Sequence, residues 1–256
     1  MSPRVFKLTI VVPAYNEEST VKEVVSHLIS LHNELPGELE IIVVNDGSTD
    51  ATGSLLEAMD DQNLTVIHHE VNKGKGAAVR TGIAAATGTH VLIFDADSEY
   101  DPNDIPRVVA PLISGRAEVV YGSRMSGFGT VHPTLVHRVG NHMMTLFANL
   151  LFGAAISDLH TCIKLLPTDL LRNMKLTEQG FGLDTEISAE MLRAGFRPFE
   201  LPISYVGRSK EDGKKIKFSD SLVCLWVLVK VRARGKTSYG LRNRMLVPRV
   251  RAGEND

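Results

Sequence analysis

Along its N-terminal half, the chain alternates between short apolar runs and longer segments with helical periodicity. The first run, residues 8–12 (LTIVV), is followed by residues 17–32, in which apolar positions recur every three to four residues. Repeated strand–helix units of this kind predict an α/β fold, with a mostly parallel central sheet flanked by helices on both faces. Three further runs, each followed by a helical segment, complete the pattern: 40–44 (EIIVV), 64–69 (LTVIHH) and 90–94 (HVLIF).

Polar residues follow each of the four apolar runs. In open parallel sheets, ligands bind in the crevice outside the carboxyl ends of the strands. We therefore expect the four polar loops to line one crevice. Their sequences are PAYNEE (13–18), NDGSTD (45–50), HEVNKGKG (69–76) and DADSEYDP (95–102).

The pattern changes after residue 124. A loop rich in Gly and His precedes a long apolar helix predicted for 135–152, then a helix through 184–195 and a strand over 199–206 (FELPISYV). Because no Ser/Gly linker divides the chain, we predict a single domain over residues 1–235. Its parts are a nucleotide-binding half (1–124), a half that shapes the second substrate's site (125–218) and an amphipathic helix (219–235), followed by a basic tail (236–256).

Composition narrows the class of protein. With 256 residues, 43% of them hydrophobic, the chain can bury a full core. Cys162 and Cys224 are far apart and lack CxxC or Cys/His spacing, which argues against a disulfide framework or structural zinc and favours a reducing, cytosolic setting. The N-terminus predicts no signal peptide. The longest apolar stretches are shorter than the roughly 20 residues that span a bilayer, so we expect the chain not to cross a membrane.

Charge is unevenly distributed along the chain. Residues 208–256 contain 13 Lys and Arg against 5 Asp and Glu, a net charge of +8, whereas residues 1–207 contain 15 against 25, a net charge of −10. A charge cluster alone favours a solvated tail. Here the basic residues flank the apolar segment 219–235, which is typical of an element attracted to anionic lipid. A peripheral position at the cytosolic face of a membrane is therefore also an expectation.

The fourth strand ends in a cluster of carboxylates. Asp95 and Asp97, separated by one residue, can reach the same hard cation, Mg²⁺ or Mn²⁺, which then holds the oxygens of a diphosphate. The alternative is an acidic turn that only caps the helix after Pro102. Asp46, at the end of a neighbouring strand, can accept hydrogen bonds from a base or ribose, or can instead form an Asx-turn or helix cap.

The loop NKGKGAAVRTG (72–82) places glycines, Lys75 and Arg80 at a helix start, a setting suited to phosphate oxygens. A glycine-capped helix with surface lysines is the alternative. The Walker A pattern is absent, and no GxGxxG follows the first strand, which argues against dinucleotide oxidoreduction.

Together these motifs resemble glycosyltransferase family 2, whose members have the GT-A fold. The resemblance covers nearly all of residues 8–235, and its later half is similar to the polyprenyl-phosphate and dolichyl-phosphate sugar synthases of that family. The motifs, in order, are VVPAYNEE, VVNDGSTD, NKGKGAAVRTG, FDADSEYDP and YGSR, then DLHTCIKLLP, FGLDTEI and ISYVGRSKEDGKKI.

The resemblance implies roles for the strand-end residues. Asp97 is the expected direct metal ligand and Asp95 faces the nucleotide. Glu99 replaces the Gln that related enzymes often have, and we expect it to contact the ion, with Asp101 capping the following helix. The expected nucleotide-sugar contacts are Pro13, Tyr15, Glu17, Asp46, Lys75, Arg80, Asp95, Ala96, Asp97 and Arg208.

The same resemblance directs Arg124 and Arg138 at an acceptor phosphate, although Arg124 could instead pair with a structural carboxylate. A monoester phosphate is largely ionised at neutral pH, so it needs cationic positioning more than a base. Asp158 and Asp184 lie in shared motifs, and Asp184 could equally be a helix N-terminal charge. Lys214 and Lys215 are expected, with Arg208, to close over diphosphate or acceptor.

These expectations describe an inverting, metal-dependent hexosyl- or N-acetylhexosaminyltransferase. It would move a sugar from a nucleoside diphosphate, UDP favoured and GDP open, to polyprenyl phosphate. One alternative is transfer to a soluble or polysaccharide hydroxyl, with Asp158 or Asp184 as base, and another is a non-catalytic nucleotide-sugar-binding scaffold. The expected partners are the membrane surface, a small membrane-anchor protein or a second copy of the chain, and not nucleic acid.

Overall fold

A seven-stranded sheet forms the centre of the protein. The computed structural model describes residues 6–125, 130–131, 135–208 and 218–235. In the sheet the strands lie in the order β3-β2-β1-β4-β7-β5-β8, and β6 and β9 form a separate parallel pair. The strands are β1 (Lys7–Ala14), β2 (Glu38–Asn45), β3 (Leu64–His68), β4 (His90–Ile93), β5 (Val120–Ser123), β6 (Thr130–Val131), β7 (Lys164–Pro167), β8 (Phe199–Pro202) and β9 (Tyr205–Val206).

The mostly parallel sheet predicted from the alternating pattern is confirmed. Strands β1 to β4 are mutually parallel, and β8 is parallel to β5. Strand β7 runs antiparallel to both β4 and β5, between which it lies. It therefore joins the N-terminal strands to the later ones.

The single strand predicted over 199–206 is wrong. The structure divides it at Pro202 into β8, in the large sheet, and β9, which pairs with β6. Proline has no backbone N–H to donate, so it weakens a continuous ladder. The division sends Tyr205 and the residues after it towards the DADSEYDP loop, where Tyr205 forms a bridge with Tyr100.

Helices cover both faces of the sheet. Side chains alternate along β1, so Leu8, Ile10 and Val12 pack with α1 and α4, while Val11 packs with α3 on the other face. A Cβ at Gly82 would lie 2.3 Å from Cγ1 of Val11, so glycine lets α3 approach the sheet closely. The helices are α1 (Val21–Ser30), α2 (Thr52–Glu57), α3 (Lys75–Ala85), α4 (Ile105–Ile113), α5 (Leu135–Phe152), α6 (Thr168–Asn173), α7 (Gly182–Arg193) and α8 (Phe218–Ala233).

The two apolar helices of the C-terminal half, α5 and α8, pack on the same core cluster through residues such as Met144, Ala148, Val227 and Leu228. Among the described residues, no helix combines the length and hydropathy needed to cross a membrane. Cys162 and Cys224 are both buried free thiols. The predicted tail, 236–256, lies outside the described residues.

Candidate active site

The carboxyl ends of β1, β2 and β4 lie side by side, as the parallel arrangement predicts. Ala14 pairs with Asn45, and Val11 pairs with Ile93, so the loops that begin at Tyr15, Asp46 and Phe94 emerge at one edge. In two of these loops a residue other than glycine adopts positive φ: Asn16 at 52° and Ser98 at 58°. Such conformations cluster at functional sites, where the surrounding structure holds them.

Asp46 holds the loop between β3 and α3. It is 2% exposed, and its carboxylate accepts from the backbone N–H groups of Lys73 (3.0 Å) and Gly74 (2.7 Å). His69, which the sequence left without a role, places Nδ1 2.6 Å from Asp46 Oδ1 and Nε2 3.0 Å from the Thr81 hydroxyl. An ionised carboxylate only accepts, so Nδ1 carries the proton. A contact between Asp46 and a nucleoside stays a prediction.

The start of α3 is packed against the backbone of residues 178–179. The N–H groups of Gly76 and Ala77 donate to the Gln179 carbonyl, at 2.6 and 3.2 Å, and Arg80 donates to the Glu178 carbonyl. The first free N–H groups of a helix are its natural phosphate donors. Here the N–H groups of Gly76 and Ala77 and the Arg80 guanidinium already donate to the carbonyls of residues 178–179. Phosphate binding by Arg80 therefore stays a prediction.

Lys75 instead extends into the crevice and joins a carboxylate of the loop after β4, Asp95, to one at the start of α7, Asp184. Its Nζ lies 2.9 Å from Asp95 and 3.1 Å from Asp184. Burial lowers the pKa of Lys75, but Asp184 and Asp95 outweigh that effect and hold the pKa well above its ordinary value. The Cys162 thiol donates to Asp95 Oδ2 at 2.6 Å. Burial and the neighbouring Asp95 raise the pKa of Cys162, so the thiol stays protonated and can donate.

Asp184 lies between two lysines. Besides Lys75, the fully buried Lys164 places Nζ 3.5 Å from Asp184 Oδ1, and it also lies over the Tyr121 ring. Burial raises the pKa of Asp184, but the two lysines more than compensate and the net pKa is lowered. Asp184 is also in the first turn of α7, so its position agrees both with a site carboxylate and with a charge at a helix N-terminus, the two interpretations of the sequence. Lys164 was missed; a lysine within the apolar run IKLLP is its only sequence signal.

Asp97 and Glu99 contact the segment that follows β8. Glu99 accepts from the Tyr205 hydroxyl at 2.9 Å and from the Arg208 N–H at 2.8 Å. Asp97 accepts from the Arg208 guanidinium at 2.8 Å. Burial, then repulsion from Asp95 and Glu99, raises the pKa of Asp97 to about 7, although Arg208 opposes the shift.

The fit of these residues to a divalent cation rests on donor chemistry. Three carboxylates on one loop offer the oxygen ligands that Mg²⁺ and Mn²⁺ prefer, and burial, followed by the negative charge of Asp95 and Glu99, raises the pKa of Asp97; a cation would neutralise that charge. As arranged, no three His, Cys, Asp or Glu side chains of the described ranges converge as a ligand set. Binding of an ion by Asp95, Asp97 or Glu99 therefore stays a prediction.

Arg124 pairs with Asp158 in the interior, which is the alternative that the sequence left open. Nε and Nη2 donate to the two carboxylate oxygens at 2.7 and 2.8 Å, and the Arg124 N–H adds a bond of 3.1 Å. Burial raises the pKa of Asp158, but Arg124 more than compensates and the net pKa is lowered. The Arg124 guanidinium also lies 5.0 Å from the centre of the Tyr205 ring. Contact with an acceptor stays a prediction for Arg124.

The remaining predicted site residues occupy less specific positions. Arg138 is exposed in the first turn of α5, with no ion pair to another described residue. Pro13 lies in β1 opposite Val44, and the carbonyl of the buried Ala96 accepts from the Thr20 hydroxyl at 2.7 Å. Tyr15 is half-buried in the first loop. Lys214 and Lys215 lie outside the described residues.

A mostly parallel sheet whose strand-end loops carry an Asp-x-Asp pair defines a GT-A glycosyltransferase. The chain belongs to glycosyl transferase family 2, because the model of that family matches residues 9–174. The predicted family and fold are confirmed.

Curated relatives agree with this assignment. Glycosyltransferase AglJ of Haloferax volcanii is 29% identical over 200 residues, covering 78% of this chain and 63% of the relative. The UDP-N-acetylglucosamine–dolichyl-phosphate N-acetylglucosaminyltransferase of Methanococcus voltae is 32% identical over 167 residues, covering 58% of this chain and 64% of the relative. This chain therefore spans less than two thirds of the length of either relative.

Among solved structures, glucosyl-3-phosphoglycerate synthase from Mycobacterium tuberculosis, in complex with Mn²⁺, UDP and phosphoglyceric acid, superposes with a TM-score of 0.66. The sequences are 22% identical, and the match covers 91% of this chain and 80% of the other. At that identity the likeness concerns the fold.

Proposed function

We propose that this chain transfers a sugar from a nucleoside diphosphate sugar to polyprenyl phosphate, with inversion at the anomeric carbon. Family membership supports the reaction type. The Methanococcus voltae relative, named for a dolichyl-phosphate acceptor, supports the class of acceptor.

The proposed acceptor class rests on the ion pairs that Asp158 and Asp184 each form with basic residues. A hydroxyl acceptor needs a base to remove its proton, and these were the two carboxylates predicted for that role. Asp158 is held by Arg124 and Asp184 by Lys75 and Lys164, so the pKa of each is lowered and each is a weak base. A phosphate monoester has a second pKa of about 6 and arrives largely ionised, so it needs neither carboxylate as a base.

In the proposed reaction a phosphate oxygen attacks the anomeric carbon as the bond from that carbon to the diphosphate breaks. The nucleoside diphosphate leaves with the electron pair, and no proton moves in this step. The cation, held by Asp97 with Asp95 or Glu99, would supply positive charge for the leaving diphosphate. Lys75 and Lys164 fix Asp184, and Asp158 fixes the Arg124 guanidinium, whose Nη1 has no hydrogen-bond partner among the described residues and is left to donate to an oxyanion.

UDP is the favoured nucleotide. The Methanococcus voltae relative is named for a UDP-sugar, and the Mycobacterium tuberculosis structure contains UDP and Mn²⁺. The direct test is incubation of the purified chain with polyprenyl phosphate, Mg²⁺ or Mn²⁺ and a panel of radiolabelled UDP- and GDP-hexoses and N-acetylhexosamines. We expect lipid-linked label with at least one UDP-sugar. Absence of lipid-linked label with every donor would contradict the proposal.

An acceptor embedded in lipid requires the chain to meet the membrane, and α5 and α8 offer a surface for it. Large apolar side chains are exposed at spacings of three or four residues along both helices, which pack on one core and are tied together where Arg232 donates to the Leu151 carbonyl. We refer to the exposed apolar side chains of the two helices as the apolar face: Leu135, Val139, Met143, Leu146 and Leu150 on α5, and Leu222, Val223, Leu225, Trp226 and Val229 on α8.

Charge favours anionic lipid as the partner of the apolar face. Helix α5 contains no Asp or Glu, and α8 contains only Asp220, whereas Arg138 and Arg232 lie on the same two helices; Lys230, also on α8, is paired with Glu178. The rest of the chain to residue 207 is acidic, with 15 Lys and Arg against 25 Asp and Glu. Basic residues beside an apolar helix face add electrostatic attraction to an anionic leaflet. We therefore place the chain peripherally, at the cytosolic side.

Vesicle flotation tests this placement. Trp226 is 65% exposed, so Trp226→Glu should fold normally and lose binding to anionic vesicles, whereas Ile113→Glu, at a 45% exposed position on α4, should bind as the wild type does. Transfer to a short, water-soluble isoprenyl phosphate should be unchanged in both variants. Failure of the wild type to float at low salt would contradict a direct membrane contact and favour a small anchor protein or a second copy of the chain.

The competing function is transfer to a soluble acceptor, which the name of the Mycobacterium tuberculosis neighbour suggests. It predicts sugar transfer to a hydroxyl acceptor such as 3-phosphoglycerate, with no need of lipid. Cation-dependent donor binding without turnover on either class of acceptor would instead indicate a non-catalytic scaffold.

A further inference from the structure

The guanidinium of Arg208 joins two carboxylates from different strand-end loops. Nη1 and Nη2 lie 3.1 and 3.3 Å from the oxygens of Glu17, in the loop after β1. Nη2 also lies 2.8 Å from Asp97 Oδ2, in the loop after β4. The Arg208 side chain is 22% exposed, against 9% for Glu17 and 17% for Asp97, so these contacts are largely shielded from water.

The backbone beside Arg208 is fixed independently of its guanidinium. The Arg208 N–H donates to Glu99 Oε1 at 2.8 Å, and the Tyr205 hydroxyl donates to Oε2 of the same carboxylate at 2.9 Å. The backbone N–H groups of Val206 and Gly207 donate to the carbonyls of Glu99 and Val131. Rotation of the side chain can therefore move the guanidinium without displacing the backbone.

Not all of the hydrogen-bond donors of the Arg208 side chain are paired. Its Nε is buried and has no hydrogen-bond partner within the described part of the chain. A buried donor without a partner has lost its hydrogen bonds to water and gained none in return, so a position that pairs all of the guanidinium N–H groups can compete with this one. A diphosphate, with several acceptor oxygens, offers arginine such pairing.

We infer that Arg208 is a positioning residue that couples cation binding to donor binding. The inference rests on the proposed nucleotide-sugar donor. A divalent cation at Asp97 must compete with the guanidinium for the same carboxylate, so the cation alone binds weakly. When a diphosphate is present, the displaced guanidinium gains a new anionic partner, and the cation and diphosphate bind cooperatively. The coupling is reciprocal: each ligand strengthens binding of the other by the same factor.

The test is Mn²⁺ titration, followed by the electron paramagnetic resonance of free Mn²⁺, with and without saturating UDP, and with GDP in parallel. For the wild type we expect saturating nucleotide to strengthen Mn²⁺ binding about 10-fold or more, within the usual range of coupling between sites. Arg208→Gln should bind Mn²⁺ alone about 10-fold more tightly than the wild type, so saturating nucleotide should strengthen its Mn²⁺ binding less than it does in the wild type. Arg208→Lys, which keeps the charge, should retain much of the coupling.

Arg107→Gln is the matched control. Arg107, on α4, pairs with Asp104, the residue before that helix, and contacts neither Glu17 nor Asp97, so its replacement removes one positive charge without touching the contested carboxylates. We expect wild-type Mn²⁺ binding in this variant. Circular dichroism of each variant confirms that the fold is retained, and Arg208→Lys supplies the comparison if Arg208→Gln does not fold.

Two results would overturn the inference, and they separate it from the proposed function. If Mn²⁺ alone binds Arg208→Gln no more tightly than the wild type, and nucleotide strengthens Mn²⁺ binding equally in both, Arg208 is only a structural tie while nucleotide-sugar binding stands. If neither nucleotide binds the wild type with Mn²⁺ or Mg²⁺, the proposed donor and the inference both fail.

Discussion

Replacement of Asp158 with Asn tests the interpretation of Arg124 and Asp158 as a buried, mutually neutralising pair. The side chains are 8% and 0% exposed, and the carboxylate accepts two guanidinium bonds and two backbone bonds, the latter from the N–H groups of Arg124 and His160. The Arg124 Nε and backbone N–H both donate to Oδ2. If the Asn amide nitrogen takes the place of Oδ2, it presents N–H groups to both donors, and either orientation leaves the arginine charge unpaired.

Removing one partner of a buried ion pair costs about 3–5 kcal/mol, and the loss or weakening of all four hydrogen bonds to the carboxylate places Asp158→Asn within that range. For a chain of this size, about 2–4 °C per kcal/mol converts the loss into a Tm lower by about 6–20 °C. The assay is urea and thermal unfolding followed by circular dichroism, with the exposed Asp169→Asn on α6 as a control that should change stability by no more than about 0.5 kcal/mol.

The double variant Arg124→Met, Asp158→Asn distinguishes the interaction energy between the two side chains from the energy of their contacts with other residues. Each single variant leaves one polar partner without its counterpart, whereas the double variant removes both charges. We therefore expect the double variant to lose about 2 kcal/mol less than the sum of the single losses. A loss below about 1 kcal/mol in Asp158→Asn, or additive losses in the double variant, would refute the buried-pair interpretation.

Two further predictions concern pH and packing. Burial lowers the pKa of His90 from its ordinary value of 6.5 to about 4, so between pH 6.5 and pH 4 the unfolded chain binds more protons than the folded chain. The contribution of the neutral His90 to stability is therefore fully present above pH 6.5 and is lost as the pH falls through this window. In urea unfolding from pH 7 to 4, His90→Gln should reduce the fall in the free energy of unfolding, by at most about 1.4 kcal/mol per pH unit. An unchanged slope would contradict the lowered pKa of His90. A Cβ at Gly76 would lie 2.4 Å from the Glu178 carbonyl oxygen, but one at Gly140 meets nothing within 4 Å. Gly76→Ala should therefore lower the Tm and weaken nucleotide binding, while Gly140→Ala in α5 should stabilise the chain by about 0.5–1 kcal/mol; equal effects of the two changes would argue against close packing at the start of α3.

The parallel half of the fold could be predicted from local pattern. Strand β1 was predicted as 8–12 and spans Lys7–Ala14, and β4 was predicted as 90–94 and spans His90–Ile93. Apolar runs separated by helical segments specify such units because both faces of the strands are buried. The same rule predicted that Asp46 and Asp95 follow strands that end at one edge.

The later half depends on contacts between distant segments, which periodicity does not reveal. Strand β7 lies antiparallel between β4 and β5, although it follows β5 in the chain. The separation of β8 from β9 at Pro202 became clear only when the pairing of β9 with β6 was seen.

Residue types predicted which side chains carry the chemistry better than they predicted the partners of those side chains. Glu99 was expected at a metal, yet both of its oxygens accept from residues more than 100 positions away. Lys164 neutralises Asp184 from within a strand, where a charged residue had no assigned role. In each case a choice between partners was decided by tertiary packing, since a carboxylate fits an arginine, a lysine or a cation equally well by chemistry alone.

The central claim is that the acceptor is an ionised phosphate that needs no carboxylate base. The most direct measurement compares polyprenyl phosphate with the matched polyprenol, and with 3-phosphoglycerate, in assays that contain Mg²⁺ or Mn²⁺ and a radiolabelled UDP-sugar. We predict label in the lipid fraction with polyprenyl phosphate and no transfer to either hydroxyl acceptor. Transfer to polyprenol or 3-phosphoglycerate, with none to polyprenyl phosphate, would contradict the account.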